Sequence, residues 1–382
     1  MSQTPVTFAV LGIHGYGRNH LAELARLAPT GAVQLVAVAD PRGADGVENL
    51  GDDIPCYVNL TEMLANRVPD VVVLATPINT HAPLAIEAMR AGAHVLLEKP
   101  PAASLAEFDE MLAVAEETGR VVQVGFQSFG SHALPEIARL IDEGAIGEVI
   151  SIGGVGTWLR DLAYYARSRW AGRRTLDGVP VVDGVVTNPL AHCVATALLI
   201  AGCRRADQVE RVDVELLHAH DIEADDTSSV RVVTTDGQRL AFGLTLCAPD
   251  HPGPVVVIHG TEGVIRFEYT ADVLHVRRTG ETETEEHFSR SSVVGNLVEH
   301  LGDPGVPLLA PLVETGAFMR VLEAVRTAPD PAQVDPAYVE WVGEGQGKHP
   351  VIADIETWCA RVAAEQKLFS ELGAPWAGSA TS

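Results

Sequence analysis

Basic residues are scarce in this chain of 382 residues: 27 lysines and arginines face 51 aspartates and glutamates, a formal net charge of −24. So acidic a surface repels phosphate backbones, which excludes nucleic acid as an expected partner. Cysteine is sparse too. Cys56, Cys193, Cys203, Cys247 and Cys359 are odd in number and form no CxxC pair. Neither a disulfide framework nor a metal site is expected, and free thiols fit a reducing compartment. No uninterrupted apolar run approaches the roughly 18 residues of a membrane span. The start, Met1-Ser-Gln-Thr-Pro-Val, lacks the basic and apolar regions of a secretion signal. The expectation is a cytoplasmic protein without membrane partners. Hydrophobic residues still make up 47%, and the length exceeds the roughly 250 residues at which single cores stop growing. More than one domain is expected.

Apolar runs and helical spacings alternate through the first third. Strands are predicted at 6–12, 34–39, 71–75, 94–98 and 120–125, with helices at 18–28, 82–91 and 104–118. Strands separated by helices imply a parallel sheet with both faces covered. Beyond residue 126 the pattern changes. Helix 132–143 and strand 148–155 precede an Arg- and Gly-rich stretch, 156–187, that reads as loop. A helix follows at 189–200, then strands at 212–218, 227–234, 239–247, 254–259, 263–268 and 273–277. Short turns such as Thr235-Asp236-Gly237-Gln238 between them favour an antiparallel sheet. Helices are predicted again at 312–327 and 351–372.

The first strand runs into Gly12-Ile-His14-Gly15-Tyr16-Gly17-Arg-Asn-His20, and a helix follows. Strand, glycine turn and helix together form a dinucleotide-binding signature. Gly12 makes the turn, Gly17 lets the helix approach the sheet, and the helix start offers N–H groups to a pyrophosphate. The usual middle glycine is His14 here; Gly15 compensates in part, and His14 either bonds a phosphate or is merely tolerated. Asp40 ends the second strand at the spacing of a ribose-binding acid. Its carboxylate favours NAD over NADP, although Arg42 leaves NADP open. A plain turn residue before Pro41 is the alternative. The fold class expected is α/β: an N-terminal Rossmann domain with a doubly wound parallel sheet (1–126), then an α+β domain with a large, mainly antiparallel sheet (127–340). A helical tail (341–382) packs on the protein.

Further segments, Ala75-Thr76-Pro77-Ile-Asn-Thr-His81, Gly92 to Glu98-Lys99-Pro100, Gly144-Ala-Ile-Gly147 and His259-Gly-Thr-Glu-Gly263, occur in order and at separations that resemble the Gfo/Idh/MocA oxidoreductases. The resemblance implies that Thr76, Pro77 and His81 line the cofactor, and that Glu98 either anchors Lys99 or contacts the cofactor ribose. It also implies that Lys99 lies between nicotinamide and substrate, where an ammonium stabilises a developing oxyanion. His192 matches the family's histidine, and imidazole has the pKa to take a hydroxyl proton. The chain departs from the family at Asn188 and Ala195, where relatives often carry aspartates. Asn188 therefore either contacts substrate beside His192 or caps the helix before Pro189. Asp183 is a candidate for the missing acid.

Specificity is expected from Gln127 at the domain junction and from Tyr165, Arg169 and Trp170 in the 156–187 loop. Aromatic faces stack on sugars and arginines pair with carboxylates, so a sugar or polyol, anionic or neutral, is the expected small-molecule substrate; a solvated or intersubunit loop is the alternative. His218 and His220 read as exposed strand residues rather than metal ligands. The function implied is an NAD(P)-dependent oxidation of a secondary alcohol, the alternative being redox-neutral chemistry on tightly bound NAD. The family resemblance also implies a homodimer or homotetramer through the second sheet.

Overall fold

The structure, a computed structural model, describes residues 4–51 and 53–377. It divides into two compact units. The first comprises residues up to 130 with 291–315, the second 131–290 with 316 onward.

In the first unit the chain order is β1 (Val6–Leu11), α1 (Gly17–Leu27), β2 (Val33–Ala39), β3 (Cys56–Tyr57), α2 (Leu60–Asn66), β4 (Val71–Leu74), α3 (His81–Arg90), β5 (His94–Leu97), α4 (Leu105–Thr118) and β6 (Val122–Val124). The strands form one parallel sheet in the order β3-β2-β1-β4-β5-β6. That order reverses between β1 and β4, the place where doubly wound sheets bind ligands. Every residue of β4 is buried, as a strand covered on both faces requires. Local sequence fixes the helix ends: Asn59 and Ser104 cap α2 and α4 through their side chains, and Gly119 ends α4 in the left-handed region. Short β3 and α2 fall in a polar stretch without periodicity and are not legible in the sequence. A later helix, Val293–Gly302, packs Val293, Val294 and Leu297 against Phe8, Val10, Leu21 and Val73 in the core.

The second unit contains α5 (Ala133–Asp142), β7 (Val149–Thr157), α6 (Leu162–Ala166), the hairpin β8 (Thr175–Leu176) and β9 (Val179–Pro180), and α7 (Ala191–Ile200). Then come β10 (Val209–His218), β11 (Thr227–Thr234), β12 (Arg239–Thr245), β13 (Val255–Gly260), β14 (Gly263–Glu268), β15 (Val273–Arg278) and β16 (Thr284–His287). The helix at 293–302 is α8 in chain order. After it come α9 (Gly316–Thr327), β17 (Ala332–Gln333), β18 (Val339–Val342), β19 (His349–Ile352), α10 (Ile355–Glu365) and α11 (Phe369–Leu372). Nine strands form one sheet, β16-β15-β14-β13-β7-β12-β11-β10-β17, antiparallel except at β7/β12 and β10/β17. The fold class is thus α/β, a parallel Rossmann sheet followed by a mixed, largely antiparallel one. Predicted helix 351–372 is in fact strand, helix, a left-handed break at Gln366, and a short helix.

Alternate residues of β7 face opposite sides. A Cβ on Gly154 or Gly156 would strike Cys193 Sγ or the Leu190 side chain, both at 2.5 Å, on the α7 side. On the other side a Cβ at Gly153 would come 2.9 Å from Ala363, and one at Gly243 would come 2.5 Å from the backbone of Cys359. Helix α10 therefore lies against bare backbone, and α11 continues over β11 and β10 through Phe369 N–H to Ser229 Oγ and Arg231 to Glu371. Cys359, Val362, Phe369 and Trp376 are fully buried there. The chain's own tail thus covers the middle of one face of the sheet through which an oligomer was expected to form. The part of the face beyond it, on β14 to β16, is charged, with His275 bonded to Glu268 at 3.2 Å.

Candidate functional site

In the first unit the glycine turn is forced by close approach. Gly12 has φ 82°, and a Cβ there would lie 2.4 Å from the Ala75 carbonyl oxygen; one on Gly17 would lie 2.1 Å from the Gly12 carbonyl oxygen. Gly15, by contrast, meets nothing within 4 Å, and neighbouring Tyr16 is exposed. Helix α1 starts at Gly17 with no side-chain cap and no acidic residue in its first turn. Tight backbone behind and open space in front form the cradle that a pyrophosphate needs. His14 turns away from that role: its Nε2 lies 2.8 Å from the Gly43 carbonyl oxygen.

Asp40 is buried at the end of β2. It accepts from Ile13 N–H (3.2 Å), Arg42 N–H (3.0 Å) and the Arg42 guanidinium (3.1 and 3.2 Å). Burial pushes its pKa up, but the bonds from Arg42 outweigh that and hold it below the usual value. The carboxylate is ionised and oriented. Arg42 is an exposed partner of Asp40. The turn, the open space and this acid fit an adenine dinucleotide.

After β4, Thr80 Oγ donates within the loop to Thr76 Oγ and the Pro77 carbonyl, both at 2.7 Å. His81 is fully buried, with Nδ1 2.8 Å from the Pro100 carbonyl and Nε2 2.9 Å from the Thr76 carbonyl. Burial lowers its pKa. Its expected place on the cofactor is corrected: His81 ties the loop after β4 to the loop after β5. Half-buried Lys99 is the second residue after β5. Its neighbour Glu98 accepts from His20 Nε2 at 2.7 Å and Gln127 Nε2 at 3.3 Å through Oε1, and from the Lys99 N–H at 3.3 Å through Oε2. A Cβ on Gly125 would come 2.8 Å from that same Oε1. Glu98 and Gln127, expected on cofactor and substrate, thus bond each other. His20 was the partner missed in sequence; its signal is that it shares the buried face of α1 with Gly17, Leu21 and Leu24.

In the second unit His192 is half-buried on α7, its ring 6.4 Å from that of Tyr269. Asn188 is no cap, because α7 begins at Ala191. Its side-chain amide donates instead to Asp183 Oδ1 at 2.5 Å. Buried Asp183 also accepts from the Gly172 N–H (2.8 Å) and Arg167 (3.4 Å). The preceding Val182 has φ 45°, a conformation costly for a β-branched residue. Thr187 Oγ bonds its carbonyl and the Gly184 N–H, and Asp225 packs on Gly184 and receives the Val185 N–H. The loop before α7 is therefore over-determined, which the sequence did not reveal.

The loop predicted to choose substrate is only partly as expected. Arg169 pairs with Asp177 in solvent, both more than 70% exposed. Trp170 lies under the Arg167 guanidinium at 4.8 Å. The Tyr165 hydroxyl is buried without a hydrogen-bond partner, and burial raises its pKa well above the usual value. His220, expected to be exposed, is buried: Nδ1 is 2.8 Å from Asp226 Oδ2 and Nε2 is 3.0 Å from the Arg160 carbonyl. His220, Asp226 and Cys247 offer donor atoms within 4.8 Å of one another. Asp226 already accepts the Ala219 and His220 N–H groups and the Thr227 hydroxyl as well, the pattern of a structural His–Asp pair.

Fold and glycine turn define a dinucleotide-binding Rossmann architecture joined to an α+β unit. Residues 6–126 match the model of the oxidoreductase family with NAD-binding Rossmann fold, and residues 135–266 match the GFO/IDH/MocA C-terminal domain. The chain belongs to the Gfo/Idh/MocA family. It is 33% identical over 152 residues to scyllo-inositol 2-dehydrogenase (NAD(+)) of Bacillus subtilis (strain 168), covering 39% of this chain and 44% of the relative. It is 24% identical over 274 residues to 2,7-anhydro-N-acetylneuraminate hydratase of Mediterraneibacter gnavus, covering 69% and 67%. The chain spans less than half the length of the first curated relatives it matches. The WlbA dehydrogenase of Chromobactrium violaceum, solved with NADH and UDP-GlcNAcA, shares the fold with a TM-score of 0.70 at 23% identity, over 85% of this chain and 94% of that one. Among the described residues no helix is long and apolar enough to cross a membrane.

Proposed function

We propose that the protein is an NAD-dependent oxidoreductase that moves a hydride between a secondary alcohol of a sugar, inositol or related polyol and nicotinamide. The observation that carries this reading is the Glu98-Lys99 pair directly after β5, locked by His20, in a unit whose glycine turn and ionised Asp40 fit the dinucleotide. When bound, NAD supplies the hydride acceptor. Gly12, Gly15, Tyr16 and Gly17 would hold its phosphates, and Asp40 would accept bonds from a ribose hydroxyl. Lys99 donates to the reacting oxygen and stabilises the charge that develops there. His192 takes the hydroxyl proton, a contribution on the order of 10²–10⁴-fold. Asn188 orients the substrate, and the Asp183 carboxylate on its amide supplies the negative charge that Asn188 lacks. Purified protein incubated with NAD and a panel of polyols and sugars should form NADH with at least one. NADH formation with none, and no NADH oxidation with keto-sugars, defeats the proposal.

A second reading keeps the cofactor bound through a redox-neutral cycle. Asn188 and Ala195 in place of aspartates favour it, as does the similarity to a hydratase. Cofactor that co-purifies, with turnover that needs none added, would select it.

A further inference from the structure

Five arginines lie in the loop between β7 and α7. Four have carboxylates: Arg167 with Asp183, Arg169 with Asp177, Arg173 with Glu223, and Arg174 with Asp330. Arg160 has none among the described residues, in a chain with 51 acidic residues. It is also half-buried. Its guanidinium lies 4.9 Å from the Trp158 ring centre and 4.8 Å from that of Tyr164. One Nη donates to the Leu159 carbonyl at 2.9 Å and to His251 Nδ1 at 3.4 Å. Nε is buried with no partner.

A cation partly withdrawn from water without a counter-charge is costly, and stacking on two rings offsets only part of that cost. Yet the residue is firmly built in. Its N–H bonds the Leu246 carbonyl, and its own carbonyl meets the buried His220–Asp226 pair. Trp158 is stacked on His251 at 4.7 Å and bonded to the Pro252 carbonyl. The link to the proposed substrate residues is direct. Tyr164 carries Arg167 3.6 Å over its ring, Arg167 reaches Asp183, and Asp183 holds Asn188.

We propose that Arg160 recognises a carboxylate on the substrate, and that the substrate is therefore an acidic sugar or polyol. This rests on the reading of the loop as substrate-binding. One unpaired guanidinium matches one carboxylate; a phosphate dianion calls for a second cation. Arg167, already neutralised by Asp183, orders the loop instead.

The test is calorimetric titration of the NAD-saturated protein with D-glucuronate, D-gluconate, D-glucose, myo-inositol and D-glucose 6-phosphate, alongside NADH formation with each. Wild type should bind a carboxylated compound about 10- to 100-fold more tightly than its neutral counterpart, the scale of one hydrogen bond to a charged group. Arg160→Gln should erase that ratio and Arg160→Lys restore part of it. Arg167→Gln should keep the ratio, even where overall affinity falls. Melting curves of each variant separate misfolding from lost recognition. Equal binding of acids and neutral sugars by wild type, a ratio that survives Arg160→Gln, or preference for the phosphate overturns the proposal. NADH formed from neutral polyols without any preference for acids overturns only the role of Arg160. If no compound yields NADH, the functional reading falls, and the titrations still decide Arg160.

Discussion

Asp225→Asn tests how the loop before α7 is held. Asp225 is buried beneath Gly184 and accepts a hydrogen bond from Ser228 at 2.8 Å. Burial raises its pKa from 3.8 to about 6, the bonds from Ser228 and backbone N–H groups offset part of that, and Asp226 adds to the rise. The folded state therefore holds this proton more tightly than the unfolded chain. The resulting stabilisation is complete below the unfolded value of 3.8 and is lost as pH rises through about 6. A shift of about two units corresponds to about 3 kcal/mol. At neutral pH wild type bears that cost; asparagine, which cannot ionise, does not. The amide needs one new acceptor, a penalty of about 1 kcal/mol that does not vary with pH. The stability of wild type minus that of the variant should therefore fall by about 3 kcal/mol between pH 4 and pH 7. All five tryptophans, Trp158, Trp170, Trp341, Trp358 and Trp376, lie in the second unit. Their fluorescence during urea unfolding reports on that unit, and the difference between the two proteins cancels the titrating groups that do not interact with Asp225. A difference that stays flat across this range refutes the reasoning.

Three further outcomes are expected. Gly243→Val puts a side chain into the backbone of Cys359; it should cost about 1–3 kcal/mol or more by overpacking, seen as a lower urea midpoint by tryptophan fluorescence. An unchanged midpoint would mean that α10 does not lie on the sheet as described. His20→Ala leaves the buried Glu98 with only Gln127 and the Lys99 N–H. It should cost the first unit about 3–5 kcal/mol, measured by hydrogen exchange of the β5 amides, and should lower kcat because Lys99 follows Glu98. Asp40→Ala removes the acid from the end of β2 and should shift the kcat/KM ratio from NAD toward NADP by about tenfold or more, the scale of one hydrogen bond to a charged group; an unchanged ratio argues against a ribose-facing carboxylate.

Much of the Rossmann unit was legible because its evidence is local. Val71 to Leu74 can only be a strand buried on both faces, and a glycine turn between strand and helix has few uses. The return of 291–315 to the first unit was not legible, since nothing in Val293–Gly302 names the distant Phe8 and Val10 as its partners. The site divides in the same way. Residue types and their order pointed to Asp40, Lys99 and His192. Which side chain each one bonds depends on tertiary approach: His20 takes Glu98 from 78 residues away, and Asn188 reaches back to Asp183 instead of capping α7. The arginine-rich loop shows the limit most plainly. In sequence its five arginines are equivalent; only the placement of Asp177, Asp183, Glu223 and Asp330 leaves Arg160 without a carboxylate.

The central claim is NAD-linked oxidation with Lys99 at the reacting oxygen. Its most direct test is the initial rate of NADH formation by wild type and Lys99→Met on whichever polyol or sugar wild type turns over fastest. The account predicts measurable NADH from wild type and a kcat lowered about 10²–10⁴-fold in the variant. No NADH from wild type on any substrate, or a variant as fast as wild type, would contradict it.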